Sequence, residues 1–432
     1  MHRRYFLMGS AAATATRVVQ ARQSPNDTVR VAVVGCGGRG NSHMGAWTNM
    51  PNVQLAALVD VDDSHSERFV GNLQKRGKQP VPTFRDIRKV LDDKNIDAVS
   101  IASPNHWHAL QTIWACQAGK DVYVEKPATH NVFESRQIVA AARKYNRIVQ
   151  MGSQSRSSSA LQEAVQRLKS GEFGEIYHAR ALCFKARNTI GKTPVEAVPP
   201  GVDYDMWCGP APVRPFTKNR FHYNWHWFWD TGNGDLGNQG IHEVDIAYWG
   251  SGWKHPTKIT AAGGKYMFDD DQETPNTILA SLEFVVDGKP KLMTFDTRHW
   301  YNNHEGGIGG ERAGNTIGNI FYGSKGYLVI DGYNKYYSFM DRDGKPGPAN
   351  NSRDNHFENF IAAVRSRKRE DLTAEIEQGA WSCVLMHLAN VSYRVGRTLY
   401  WDEKTWSVKN DAEANKLLTR EYRAPYVVPR NV

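Results

Sequence analysis

Short apolar runs alternate with helical patterns over the first third of the chain. Buried parallel strands are typically continuous apolar runs, whereas amphipathic helices repeat their apolar positions every three or four residues. The strand-like runs are 31–34, 55–59, 98–102, 122–124 and 148–151, and the helical patterns are 41–50, 64–74, 84–91, 107–118 and 132–145. This alternation predicts a doubly wound parallel sheet with helices on both faces, built from residues 28–151.

A different pattern begins at residue 152. Alternating or β-branched stretches predict a broad, mostly antiparallel sheet, with strands at 175–184, 258–267, 277–286 and 291–296. Residues 203–230, dense in Pro, Trp and Tyr, indicate a long ordered loop, and helices are expected at 234–249, 355–367 and 374–395, the last beginning behind Thr373. The fold class is therefore α/β with a second, α+β domain at 152–432, which we expect to bind substrate and to form a homo-oligomer, a dimer or a tetramer.

A glycine-rich turn follows the first apolar run. Its sequence is Gly35-Cys36-Gly37-Gly38-Arg39-Gly40. In a GxGxxG turn the glycines allow a tight bend, close approach of the backbone to a pyrophosphate, and close packing of helix on strand. The second apolar run ends in Asp60, twenty residues past Gly40, where a carboxylate can hold a ribose 2′-hydroxyl. A merely structural turn is the alternative, but the context favours a dinucleotide site.

The acidic residues behind the second strand indicate which dinucleotide is bound. Asp60 is followed closely by Asp62 and Asp63. Three carboxylates would repel the 2′-phosphate of NADP, so we predict NAD.

Composition and charge exclude several classes of protein. The 432 residues are 40% hydrophobic and 23% charged, which is ordinary for a soluble enzyme. The net charge of +9 comes without a Lys/Arg run or an RNA-binding signature, so we expect no nucleic-acid partner. The five cysteines are odd in number and lack CxxC spacing, which argues against a disulfide framework and a zinc knuckle.

Residues 1–21 are typical of a twin-arginine export signal. Arg3-Arg4 is followed by an apolar pair and a weakly apolar stretch, and Val19-Gln-Ala21 offers small residues for cleavage. Arg17, inside the apolar region, counts against this interpretation. The segment is too short to span a membrane. We expect export to the periplasm; if these are chance arginines in a disordered start, the protein is cytoplasmic.

Two predicted strand ends carry polar residues. One is Ser103-Pro104-Asn105, followed by His108, where Pro104 fixes the turn and Asn105 can cap the next helix. The other is Glu125-Lys126-Pro127. Ligands of parallel sheets lie beyond the carboxyl ends of the strands, so both segments are expected at the binding site.

These motifs, taken in order, resemble the Gfo/Idh/MocA family of glucose-fructose oxidoreductase, inositol dehydrogenase and relatives. The resemblance also includes Gly240-Ile-His242-Glu-Val-Asp245 and a closing pattern at 356–360 and 377–379. It implies a Rossmann domain and a sugar or polyol oxidised at one carbon, with hydride passing to a nicotinamide. It places Lys126 and His242 beside the reacting carbon. The expected cofactor-binding residues are Gly35, Cys36, Gly37, Gly38, Arg39, Gly40, Asp60, Ser103, Asn105, His108, Glu125, Lys126 and Arg156.

The chemistry of alcohol oxidation supports the two catalytic assignments. The hydroxyl proton must leave when hydride does, and histidine is a suitable base. If 234–249 is helical, Asn238, His242 and Asp245 share a face, and Asp245 can orient the imidazole. Many dehydrogenases of the family carry Asp where this chain has Asn238, so either His242 works more alone or its partner is Asp235 or Asp245, and the sequence does not decide between these. Lys126 would stabilise the alkoxide.

Other candidates surround the substrate. In the aromatic stretch 221–230, His226 and Trp227 are expected to contact a sugar ring, although core packing explains most of the stretch. Arg187, with Lys185 and Lys192, either binds an acidic substrate or belongs to a solvated loop. His222 and His226 have metal-like spacing but no third ligand, so no metal is expected. The substrate-binding set is Lys126, Arg187, His226, Trp227, Asn238, His242 and Asp245.

Two functions from different classes remain open. The first is an NAD-dependent dehydrogenase acting on a sugar, polyol or glycoside. The second is a redox-neutral glycoside hydrolase or lyase, as in NAD-dependent α-N-acetylgalactosaminidases of related fold, in which transient oxidation permits elimination before re-reduction. A periplasmic location favours the second, since free NAD is not dependably supplied there.

Overall fold

The computed structural model describes residues 28–309 and 315–432, so the predicted signal at 1–21 lies outside the described residues. The first sheet is parallel, and its strand order is β3-β2-β1-β4-β5-β6, the arrangement of a dinucleotide-binding Rossmann domain. Its strands are β1 (Val29–Val34), β2 (Val53–Val59), β3 (Thr83–Phe84), β4 (Ala98–Ile101), β5 (Asp121–Val124) and β6 (Val149–Met151). All five predicted strands are confirmed, and only the two-residue β3 was missed.

Helices cover both faces of this sheet. They are α1 (Gly38–Asn49), α2 (Asp63–Lys75), α3 (Ile87–Leu91), α4 (Asn105–Gln117) and α5 (Val132–Lys144). Alternate residues of β1 point to opposite faces, so Val31 and Val33 pack with Trp47 of α1, while Ala32 and Val34 face the α4–α5 side. A later helix, α9 (His356–Ser366), returns to the first face through Phe360.

The second sheet has eleven strands in the order β14-β13-β12-β11-β7-β10-β9-β8-β16-β17, with β15 paired to β13. The pair β7–β10 is parallel and the other pairs are antiparallel, as the sequence predicts. The strands are β7 (Ile176–Phe184), β8 (Pro256–Gly264), β9 (Thr277–Val286), β10 (Lys289–Arg298), β11 (Thr316–Gly323), β12 (Gly326–Asp331), β13 (Lys335–Met340), β14 (Lys345–Pro346), β15 (Asn350–Asn351), β16 (Leu399–Asp402) and β17 (Ser407–Val408).

One face of the second sheet carries helices; the other is exposed along β9 but carries a small buried cluster on β7, β11 and β12. The remaining helices are α6 (Ser159–Lys169), α7 (Tyr204–Cys208), α8 (Ile241–Ser251), α10 (Ile376–Val395) and α11 (Ala412–Lys416). Along β9, Ile278 is buried in the core while its neighbour Leu279 is 56% exposed, which shows the alternation of a half-covered sheet. None of the helices in the described ranges is apolar over a length that would cross a bilayer.

Helix starts differ from expectation at three places. The N-cap of α10 is Glu375, whose carboxylate accepts from the Glu377 amide at 2.9 Å, so Thr373 does not cap it. Asn105 is the first residue of α4 and makes no cap, because Pro104 occupies that position. The helix predicted at 84–91 is shorter in the structure, where α3 begins at Ile87 because Phe84 belongs to β3. Each difference lies within three residues of an element end, where sequence patterns are least informative.

Candidate active site

A cleft of about 590 Å³ runs along the carboxyl ends of the parallel strands. One end is formed by the glycine-rich turn and by Asp60 at the end of β2. The other end is formed by Lys126 and Asn238, and Ser103, Asn105, His108 and Glu125 line the middle. Ligands of doubly wound sheets bind at this edge, so the structure brings most of the predicted cofactor residues to one place.

The glycine-rich turn fits a pyrophosphate. Gly35 has φ +85°, and a Cβ there would lie 2.6 Å from the Ser103 amide nitrogen. A Cβ on Gly40 would lie 1.8 Å from the Gly35 carbonyl oxygen, so α1 packs on the turn only because both residues are glycines. Gly37, Gly38 and Arg39, at the start of α1, line the cleft. The unpaired backbone amides of a helix N-terminus favour an anion at this place.

Asp60 is held in place by the same turn. One carboxylate oxygen accepts from the Cys36 amide at 2.6 Å, and the other accepts from the Asp62 amide at 2.9 Å. The Cys36 side chain is fully buried, so this residue contributes its backbone rather than its thiol. With Asp60 facing the cleft at the expected distance from the turn, the residues present fit NAD.

A segment of the second domain packs against the nucleotide cleft. We call residues 199–226 the strap; Met206, Trp207, His222, Tyr223, Trp225 and His226 of the strap line the cleft. Two backbone hydrogen bonds tie it to the residues that follow β2: the Asp63 amide donates to Gly201 at 3.2 Å, and the Asp203 amide donates to Val61 at 2.8 Å. The strap therefore forms part of the wall of the cleft and is fixed to the Rossmann domain just after β2.

Glu125 anchors the middle of the cleft. Its carboxylate is buried and accepts from Arg39 Nε at 2.8 Å, with His43 Nε2 at 3.0 Å. Burial opposes its ionisation, but the Arg39 guanidinium holds the pKa of Glu125 well below its usual range. The carboxylate is therefore ionised, and the ion pair fixes the chain that carries Lys126.

Lys126 lies at the substrate end of the cleft. Its Nζ donates to the Asn238 carbonyl oxygen at 2.6 Å, which aims the ammonium at the turn before α8. Burial lowers the pKa of Lys126, and among the described residues no carboxylate forms an ion pair with it. An ammonium whose pKa is lowered can stabilise a developing alkoxide or give up a proton.

His242 lies on the first turn of α8, four residues after Asn238, and is not among the residues that line the cleft. The residue is 9% exposed, and the ring of Tyr333 stands edge-on to it at 5.2 Å between centroids. Burial, and then the Lys126 ammonium, hold the pKa of His242 well below its usual range. The imidazole is therefore neutral at pH 7, as a base must be.

Both carboxylates considered as partners of His242 are paired with other residues, which favours the alternative in which His242 works more alone. Asp245 binds Arg156, with two bonds of 2.8 Å, and accepts from Ser382; Arg156 and Asp245 are each 1% exposed. Asp235, the other alternative, is bound by Arg187 at 2.9 and 3.0 Å and by His299 at 2.9 Å. Neither carboxylate orients the imidazole.

Three residues predicted to contact a ligand do not line the cleft. Arg156 forms a buried ion pair with Asp245 and does not line the cleft, so it is not in position to contact the cofactor. Trp227 is 3% exposed and packs under the Arg187 guanidinium, 5.0 Å from the ring centroid. Arg187 itself is neutralised by Asp235. Of the aromatic pair singled out, only His226 lines the cleft, stacked on Trp225 at 3.6 Å.

The segment at 103–108 links the domains. Ser103 Oγ donates to Gln111 at 2.7 Å, and the His108 ring lies between the carbonyls of Pro127 and Ser103, at 2.7 and 2.6 Å. Asn105 donates to the side chain of Asn233, in the second domain, at 3.0 Å. These contacts hold the two strand ends in fixed positions around the cleft.

Sequence reasoning missed several cleft residues. They are His65, Arg85, Asp86, Tyr223, Trp225 and Tyr426. Tyr426 reaches the cleft from the C-terminal tail, so no local pattern marks it. His65 follows the Asp60 strand by five residues, and that spacing was the one available signal.

Glu243 adds a buried carboxyl group next to His242. It is fully buried; its Oε1 accepts from Gln239 at 3.0 Å, and its Oε2 has no partner among the described residues. Burial raises the pKa of Glu243 to about 8, so the folded protein keeps a proton that the unfolded chain has lost. Folding is therefore penalised progressively as pH rises from about 4.5 toward 8.

Glu243→Gln should remove that penalty. We expect the melting temperature of the variant, relative to the wild type, to rise by a few degrees between pH 5 and pH 8, because glutamine cannot ionise. Thermal unfolding at the two pH values measures this. Glu370→Gln, at an exposed position, is the control and should show no such trend. A Glu243→Gln difference that is the same at both pH values would contradict the assignment.

Comparison with known proteins agrees with the architecture. Residues 29–153 match the model of the oxidoreductase family NAD-binding Rossmann fold, and residues 182–267 and 344–428 match that of the C-terminal alpha/beta domain. A glycosyl hydrolase family 109 protein of Shewanella baltica is 30% identical over 208 residues, which cover 42% of this chain and 45% of the relative. The chain thus matches about half the length of that curated relative.

Solved structures share the fold. The WlbA dehydrogenase of Bordetella pertussis, in complex with NADH and UDP-GlcNAcA, has a TM-score of 0.63 at 20% identity and covers 87% of this chain and 99% of its own. The aldose-aldose oxidoreductase of Caulobacter crescentus, complexed with glycerol, has a TM-score of 0.65 at 17% identity, over 86% and 99%. With a family model matched in each domain, this chain belongs to the Gfo/Idh/MocA oxidoreductase family and carries its NAD-binding Rossmann domain.

Proposed function

We propose that this protein oxidises a hydroxyl-bearing carbon of a sugar, polyol or glycoside, with Lys126 and His242 as the catalytic residues. The observation that carries the proposal is the position of Lys126 at one end of a cleft whose other end fits NAD, with a neutral His242 near enough for the Lys126 charge to lower its pKa. When bound there, NAD supplies the hydride acceptor that the reaction requires. The sugar-acting names of several relatives support the substrate class.

The two residues divide the work on the substrate hydroxyl. His242 Nδ1 or Nε2 takes the hydroxyl proton, because burial and Lys126 keep the ring neutral. The Lys126 ammonium donates a hydrogen bond to the oxygen and stabilises negative charge as it develops. Tyr223, Trp225 and His226 of the strap supply flat surfaces for a sugar ring. Asn238 replaces the carboxylate of related dehydrogenases and can only hydrogen-bond, so His242 works without a carboxylate partner.

The proposal is tested with purified protein and a panel of sugars, polyols and glycosides, following the absorbance of reduced nicotinamide with added NAD. We expect at least one carbohydrate to reduce the cofactor, and Lys126→Met to slow that reduction by about a hundredfold or more while nucleotide stays bound. Reduction by none of the panel, in protein shown to hold NAD, would contradict the assigned activity.

The pH dependence of the reaction follows from His242. Since its pKa is lowered, the base form survives as pH falls through 6.5, and activity is lost only below that value. We expect kcat/KM on a verified substrate to show an acidic limb with its midpoint below about 6.5. A midpoint at or above 6.5 would mean that the essential base is another group.

A second candidate, a redox-neutral glycoside hydrolase or lyase, is favoured by the strap. A nucleotide in a cleft walled in part by residues 199–226 can be retained between turnovers, as an enzyme requires when oxidation is reversed within each cycle. In such a reaction His242 acts more than once, first on the hydroxyl and then on the C–H made acidic by the neighbouring ketone. The glycosyl hydrolase names among the curated relatives support this class.

The two candidates differ in their need for added NAD. Incubation of the purified protein with glycosides and no added nucleotide should give many turnovers of glycoside cleavage if the reaction is redox-neutral. A single turnover that ends in accumulated reduced nicotinamide, and resumes only with fresh NAD, leaves the dehydrogenase alone.

Export and self-association are further parts of the proposal. Arg3-Arg4 and the apolar stretch behind it support twin-arginine export to the periplasm, which cell fractionation tests. The exposed part of the second sheet supports a homo-oligomer, since Tyr177, Leu279 and Val285 are each more than half exposed there. Analytical ultracentrifugation tests it, with a monomer as the contrary result.

A further inference from the structure

Three side chains from two domains converge beside the nucleotide end of the cleft. They are Asp62, the N-cap of α2, His65 in the first turn of α2, and His222 in the strap, and one ligand atom of each lies within 4.8 Å of the other two. The closest approach is between His222 Nε2 and Asp62 Oδ2, at 3.0 Å. His222 is brought to this cluster across 160 residues of sequence, which no local spacing could indicate.

We propose that Asp62, His65 and His222 bind a zinc ion. Two imidazoles and one carboxylate form a common zinc ligand set, and the fourth position is then open to water. Ligands about 2.1 Å from a tetrahedral ion lie about 3.4 Å apart, so the observed spread needs only small side-chain adjustments. The pair first considered in the sequence, His222 with His226, does not form the site, because the His226 Nδ1 faces the Tyr223 carbonyl at 2.5 Å.

Neighbouring hydrogen bonds orient His65 and Asp62 as metal ligands. His65 Nδ1 is 3.2 Å from Asp60 Oδ2, an arrangement that fixes the tautomer and leaves Nε2 for a metal. Asp62 Oδ1 caps α2 by accepting from the Ser64 amide at 3.0 Å, which leaves Oδ2 directed at His222. The carboxylate–histidine pairing is the usual support for a zinc-bound imidazole.

Position gives the site a structural function. Asp62 and His65 belong to the Rossmann domain, whereas His222 belongs to the strap, so an ion here fastens the strap to that domain. His65 and His222 also line the nucleotide cleft. Zinc bound at this place holds this wall of the cleft in place next to Asp60, and its removal should speed the release of NAD.

The test uses untagged holoprotein, first dialysed against a chelator and then titrated with zinc. We expect one ion per chain, and His222→Ala should weaken binding by at least about 100-fold, the upper end of what loss of a supporting partner costs. Asp62→Asn keeps an oxygen for the α2 cap but removes the charge, so it should also weaken zinc without unfolding the protein. His255→Ala, a remote half-buried histidine beside Glu403, is the matched control and should bind as the wild type does.

X-ray absorption at the zinc edge distinguishes zinc bound at this site from adventitious zinc bound elsewhere on the protein. We expect nitrogen and oxygen neighbours at about 2.0–2.2 Å, including two imidazoles in the wild type and one in His222→Ala. A sulfur shell, a stoichiometry well below one, or equal affinity in the wild type and His222→Ala would each overturn the proposal.

Discussion

His242→Ala and Lys126→Met should each lower turnover by about a hundredfold or more while leaving NAD bound. The first variant removes the base that accepts the hydroxyl proton, and the second removes the charge that stabilises the oxygen. Neither side chain belongs to the glycine-rich turn, where the pyrophosphate is expected, so we expect both variants to retain nucleotide. Steady-state kinetics on a verified substrate, together with quantified bound nucleotide, measures both effects.

Lys192→Ala is the matched control for the lysine. Lys192 is an exposed side chain that pairs with Asp269 on the surface, and its loss should not change turnover. If His242→Ala or Lys126→Met kept near-normal turnover, the role assigned to that residue would be wrong. Loss of nucleotide together with activity in either variant would place the residue in cofactor binding instead.

Gly37→Leu should abolish NAD binding. A Cβ on Gly37 already lies 3.1 Å from His65 Cε1, and the rest of a leucine side chain would occupy the space that the nucleotide needs beside the turn. We expect the variant to fold, as circular dichroism can show, but to be purified without nucleotide and to gain no thermal stability when NAD is added.

Gly45→Ala is the control for this substitution. Gly45 lies in the same helix, and a Cβ there meets nothing within 4 Å, so the variant should bind NAD normally and be slightly more stable. Nucleotide retained by Gly37→Leu at wild-type levels would contradict the assigned position of the pyrophosphate.

The first domain could be predicted because its signals are local. An apolar strand, a GxGxxG turn and an acid at the end of the next strand lie within 32 residues, and the structure joins them through the bond from Cys36 to Asp60. Lys126 was likewise found at the carboxyl end of a strand, where parallel sheets bind ligands. Neither inference required knowledge of a distant contact.

Whether His242 has a carboxylate partner could not be decided from the sequence, for a geometric reason. The expected face of Asn238, His242 and Asp245 assumes an unbroken α-helix, but residues Leu236–Gly240 form a π-helical turn before α8 begins. Such a turn adds one residue and rotates what precedes it. Helical spacing also says nothing about which side chain lies opposite, and here Arg156, 89 residues away, captures Asp245.

The strap shows the same limit on a larger scale. Its density of Pro, Trp and Tyr predicts an ordered loop. The place where this loop packs, however, is set by backbone hydrogen bonds to the residues that follow β2. The sequence does not show which aromatic side chains of this stretch line the cleft and which pack in the core. Trp225 lines the cleft, whereas Trp227, two residues later, is buried under Arg187. Contacts between domains decide these roles.

The central claim is that the cleft holds NAD as the cofactor of a carbohydrate oxidoreductase. The most direct measurement is mass spectrometry of the small molecules released when freshly purified, untagged protein is denatured. We predict NAD or its reduced form, without NADP, at close to one molecule per chain. Protein that releases no nucleotide, and whose thermal stability does not change on addition of NAD, would contradict the claim.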